Sequence, residues 1–226
     1  PVTLIAPPAD TPTRVGLQAT GLAPRLVRDL GVSTVHLILT DRELREAFAW
    51  ERLGLPSALF NSIRQLKRGG AEVILTVRWL DPMSPVGGHD YDRVPRAADR
   101  TAALALVRRL VTVLGPHFDW FQVQNEVAGG SGELRRRDIT PANGAIPAIV
   151  WFTAVAREFQ AARATNPDLA HLKLMGPALT RLELLQDGSD PQLASFLGAL
   201  IDFSGTHTDA VDLHLHVASV AASRRL

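Results

Sequence analysis

The stretch 118-FDWFQVQNEV-127 opens on apolar and aromatic residues that suit a strand and ends on Asn125-Glu126, an amide and a carboxylate side by side where the strand should stop. In extended backbone, Gln122, Gln124 and Glu126 point one way and Phe121, Val123 and Asn125 the other, so one face is polar and the opposite face largely apolar. A barrel wall and the outer layer of an antiparallel sandwich alternate alike, so the flanking segments must decide.

Immediately upstream, Leu104, Val107, Leu110, Val111 and Leu114 recur at helical spacing from Asp99, and Gly115-Pro116 stops the pattern. Further back, Val73 to Trp79 (VILTVRW) and Val32 to Leu39 are nearly continuous apolar runs, the look of parallel strands covered on both faces. Between them Asp41 can cap a helix running to about Leu53, and Ser57 can open another that closes at Gly69-Gly70. Leu22, Leu26, Val27 and Leu30 predict a helix ended by Gly31, and Val2 to Ala6 a short first strand, followed by a Pro- and Thr-rich loop through Thr20. A proline- and glycine-containing loop holding His89-Asp90-Tyr91-Asp92 follows Trp79 and reads as a solvated loop at the border of a substrate. Downstream, Ala128 to Asn143 reads as a long loop, Pro147 to Thr165 as a helix ended by Asn166-Pro167, and Leu172 to Met175 as a strand. Pro191 to Ile201 reads as a helix and Ala210 to Val217 as the last strand.

Composition limits the partners. Of 226 residues, 46% are hydrophobic and 21% charged, ordinary for one globular domain. Lys plus Arg number 24 against 23 Asp plus Glu, which gives no electrostatic reason to expect nucleic acid or an anionic membrane; the run Arg135-Arg136-Arg137 reads as solvated loop. Without cysteine there is no disulfide framework and no thiolate metal site, and no cofactor motif is present. The longest mostly apolar run, Ala148 to Ala156, is far short of a membrane span. The chain begins at Pro1 without a charged-then-apolar leader, so a targeting segment is expected to have been removed or never to have existed, and the compartment stays open.

Strands alternating with helices argue a parallel sheet with helical cover. A doubly wound nucleotide-binding sheet normally carries a Gly-rich turn after its first strand, and neither G-x-G-x-x-G nor G-x-x-x-x-G-K-[ST] occurs. An α/β barrel of the (β/α)8 TIM type needs none, and it places its chemistry where polar residues fall here: Arg78-Trp79, Asn125-Glu126, and His214 with His216.

These features resemble clan A of the glycoside hydrolases, retaining (β/α)8 barrels with an Asn-Glu pair at the end of the fourth strand. The approach LVTVLGPHFDWFQVQNE looks like that family's third helix and fourth strand, NPDLAHLKLMGPAL its fifth strand with the preceding helix end, and DAVDLHLH its sixth. The resemblance implies a carbohydrate substrate, Glu126 as general acid then base, Asn125 hydrogen-bonded to a sugar hydroxyl, and His214 as the family's sixth-strand histidine. The chemistry agrees, because a glycosidic oxygen leaves only when protonated, and a carboxyl can serve near neutral pH if its surroundings raise its pKa. Trp79 would offer a face on which a sugar ring stacks.

Departures from the pattern are Val127 in place of proline, His36 where the second strand commonly ends in arginine, and His216 where an aromatic often stands. His36 and His216 are nonetheless expected to border the substrate. Retaining hydrolysis needs a second carboxyl about 5 Å from the first, and no glutamate follows Glu183, which sits in the loop after the fifth strand. About six βα units are present, so the chain reads as an incomplete barrel lacking its seventh and eighth strands, to be completed by a longer chain or a second polypeptide. Two other readings stay open. One is a non-catalytic carbohydrate-binding or regulatory protein on a decayed hydrolase barrel; the other is a metal-dependent hydrolase using His214 and His216, although no metal site is expected. Gln122 and Gln124 read as structural polar residues of a barrel interior, and Trp120 as packing.

Overall fold

The computed structural model describes residues 16–19, 24–79, 94–125, 127, 136–179 and 190–213. Five strands, β1 (Gly16–Ala19), β2 (Thr34–Thr40), β3 (Glu72–Arg78), β4 (Trp120–Gln122) and β5 (Lys173–Met175), form one parallel sheet in the order β1-β2-β3-β4-β5. Parallel bridges Met175 to Ala210 and Leu179 to Leu213 carry the same order to a sixth position. Each strand lies beside its predecessor in sequence, and right-handed crossovers then bring successive helices to one face. A doubly wound sheet would reverse its order partway. Among the described residues no pairing joins β1 to the sixth segment, so the strands form an open arc and not a closed ring.

The helices are α1 (Pro24–Asp29), α2 (Asp41–Arg52), α3 (Ala58–Arg68), α4 (Arg100–Leu114), α5 (Arg136–Ile139), α6 (Pro147–Thr165) and α7 (Pro191–His207). Their buried residues, among them Leu44, Phe60, Leu110, Phe159 and Leu200, share one apolar cluster with Val35, Leu37 and Leu39 of β2, Val73, Leu75 and Val77 of β3, and Phe121 and Val123 of the fourth-strand segment. Phe121 stacks on Phe159 at 5.8 Å between ring centroids. The alternate residues of β2 to β4 face away from this shell; Thr34, His36, Thr40, Glu72, Thr76, Arg78 and Gln122 make that face mostly polar, with Ile38, Ile74 and Trp120 among them. The apolar face builds the core, and the other is the inner face of the arc.

Several boundaries differ from the sequence reading. Gly16–Ala19, placed in a loop, is a strand: GLQA lacks β-branched residues, but the stretch pairs in register with Thr34 to Leu37. Val2 to Ala6 lies outside the described residues. Thr40, not Asp41, caps α2, its side chain accepting from the Glu43 N–H while the Glu43 carboxylate accepts from the Thr40 N–H, a capping box. Ser57 caps α3 as expected. The Ala128 to Asn143 stretch contains the short α5, which includes Arg136 and Arg137 of the basic run, and α7 continues past Ile201 to His207. Of the expected last strand, Ala210 and Leu213 make the described pairings.

Candidate active site

The C-terminal end of β4 is fixed by the strand beside it. The Val123 N–H donates to the Met175 carbonyl at 3.1 Å, the Ala178 N–H to the Gln124 carbonyl at 3.0 Å, and the Val127 N–H to the Ala178 carbonyl at 3.4 Å. Parallel pairing therefore continues past the formal strand end, on either side of Asn125. Asn125 is 5% exposed and its Oδ1 has no hydrogen-bond partner. A buried acceptor left unpaired costs about 1–3 kcal/mol, so it calls for an explanation.

Below this end, the inner face carries a line of hydrogen bonds across four strand positions. The Gln122 Nε2 donates to Asp212 Oδ2 at 2.5 Å, the Thr76 hydroxyl to Gln122 Oε1 at 2.5 Å, and His36 Nε2 lies 2.7 Å from Thr76 Oγ1. Gln122 and Thr76 are fully buried; His36 and Asp212 are half-buried. A second polar layer lies nearer the strand starts: Glu72 accepts from the Thr34 hydroxyl at 3.2 Å and from the Trp120 indole at 2.9 Å, and the Lys173 ammonium sits 4.9 Å over the Trp120 ring.

The expected site residues are distributed unevenly over this geometry. His36 does not end its strand. β2 runs on to Thr40, so the imidazole belongs to the middle of the inner face and meets Thr76. Trp79 is 3% exposed, its ring edge-on to Trp151 at 5.2 Å, so in this arrangement the indole packs the wall behind the strand end and offers no open face. Glu126, His214, His216, Glu183 and residues 89–92 lie outside the described residues. Sequence reasoning missed Thr76 and the pairing of Gln122 with Asp212. The available signal was a polar residue amid the apolar run of β3. Among the described residues no helix is long and apolar enough to cross a membrane.

Comparison with known proteins locates the fold. No family model matches the chain, and no curated protein matches it in sequence. Among solved structures, it is similar to a GH5-4 broad specificity endoglucanase from an uncultured bacterium, with a TM-score of 0.55 and 14% identity over 89% of this chain and 58% of that one. A GH53 catalytic domain from Ignisphaera aggregans gives 0.48 and 14% over 95% and 63%, and a family 39 glycoside hydrolase from Bacteroides cellulosilyticus WH2 gives 0.48 and 13% over 84% and 34%. The chain thus spans about a third to somewhat under two thirds of these structures. At such identity the likeness is one of fold: an α/β arrangement with a parallel sheet, matching part of a glycoside hydrolase barrel.

Proposed function

We propose that the chain is the major part of a retaining glycoside hydrolase barrel that cleaves O-glycosidic bonds, with Glu126 as general acid and then general base. The observation that carries this reading is Asn125 Oδ1, buried and without a partner one residue before that glutamate, at the strand end where a barrel holds its ligand. A sugar hydroxyl would donate to it and supply the missing bond. The sequential, one-directional strand order and the fold likeness to an endoglucanase support the same reading. Glu126 would protonate the leaving oxygen and later deprotonate the incoming water. The attacking carboxyl would come from a strand outside these residues, because Glu183 is the last glutamate in the sequence. His214 would contact the sugar as the sixth-strand histidine.

That same missing carboxyl favours the second reading, a barrel that binds carbohydrate without cleaving it. Aryl β-glycosides assayed with the complete natural gene product separate the two. Turnover is expected, and Glu126→Gln should lower kcat/KM by about 10²–10⁴ for a poor leaving group and far less for dinitrophenolate, which departs without protonation. Equal loss on both substrates, or none on either, removes Glu126 as the acid. Sugar binding without any turnover selects the second reading.

A further inference from the structure

We propose that Asp212 acts at a distance on His36, through Gln122 and Thr76, so that His36 Nε2 always carries a proton. The argument follows the hydrogens. An ionised Asp212 can only accept, so the Gln122 side chain must turn its NH2 toward it, as the 2.5 Å contact to Oδ2 has it. The amide oxygen then faces β3 and accepts the one hydroxyl proton of Thr76. With that proton committed, Thr76 Oγ1 can meet His36 Nε2 only as an acceptor, and Nε2 must be the donor. In a neutral ring Nδ1 is then an acceptor, and any group meeting it must bring a proton, as a hydroxyl-bearing ligand does. The amide in the middle transmits orientation and not a proton.

Position supports a role beyond packing. A barrel interior is ordinarily filled by branched apolar residues, and a fully buried Gln-Thr pair stabilises less than such packing unless every partner is present. The two sealed members lie between two half-buried ends, so the chain of bonds runs from the second strand to the sixth segment across the inner face. Asp212, Gln122 and Thr76 are positioning residues for His36. This holds whether or not the barrel cleaves glycosides.

The test is imidazole nitrogen NMR on the ¹⁵N-labelled complete natural gene product, at a pH where histidine rings are ordinarily neutral, with His36 assigned by its loss in His36→Gln. Wild type should show a proton on Nε2 and none exchanging onto Nδ1. Asp212→Leu, which alters no atom of the His36–Thr76 bond, should release Gln122 and lower the share of the Nε2–H form. Thr76→Val should do the same by removing the acceptor, and Thr76→Ser should restore the single form. A wild-type ring unprotonated at Nε2 overturns the proposal without any variant. So does a His36 signal that stays a single Nε2–H form in both Asp212→Leu and Thr76→Val.

Discussion

His117 and Asn125 stand at opposite ends of the fourth strand and pay for burial differently. Asn125 keeps an unpaired acceptor that a ligand can fill. His117, in the 3-10 turn before β4, has its pKa lowered from 6.5, first by desolvation and then by the positive charges of Arg64 and Arg68 on α3. A base that is harder to protonate when folded gives its full stability above the unfolded pKa. As pH falls below that value the unfolded chain takes up the proton first, so stability declines until the folded pKa is passed and then levels off. Urea midpoints should therefore fall as pH drops below about 6.5, and His117→Gln should flatten part of that decline. An unchanged slope in the variant would mean that other groups produce it.

At the scale of elements, two aspartates stitch strand starts to the preceding strand in the same way. The Asp119 N–H donates to the Val73 carbonyl at 2.8 Å while its carboxylate accepts from the Val73 N–H at 2.8 Å and from Lys67 at 2.5 Å. Asp209 repeats the pattern two strand pairs later, where the sixth segment meets β5, with the Leu174 carbonyl at 2.7 Å, the Leu174 N–H at 2.8 Å and Arg163 at 3.2 Å. In both cases the cation comes from the last turn of a helix, α3 or α6. Removing the carboxylate strands a backbone N–H, so Asp119→Ala should cost about 1–3 kcal/mol in chemical denaturation. A loss near zero would show that water replaces the carboxylate there.

Legibility divides along the same line. Ser57, Gly69-Gly70 and Gly115-Pro116 announce helix ends through residues a few positions apart, and the structure agrees. The Thr40-x-x-Glu43 box is equally local, but the adjacent Asp41 offers a competing cap in the sequence. Gly16–Ala19 and the Gln122 relay depend on which residues stand opposite one another on neighbouring strands, and register is a property of pairing that no single segment states. Asn125 and its position at the strand end were readable; the burial of Trp79 was not, because its partner Trp151 is far away in sequence.

For the molecule as a whole, one apolar cluster runs from Val27 to Phe203 and ties the sheet to α2, α3, α4, α6 and α7. A core without a seam should melt as a unit: far-UV and near-UV circular dichroism should report the same urea midpoint, and two separated transitions would contradict a shared core. The alternation of strands and helices is readable because burial on both faces leaves long apolar runs, whereas the openness of the arc follows from pairings between distant segments.

The division of β2, β3 and β4 into a shell-facing and an inward-facing set follows residue parity: even numbers look inward on all three strands, odd numbers into the helices. Anyone redesigning this scaffold for another chemistry therefore has a ready-made mask. A library restricted to the even positions leaves the mortar of the building untouched.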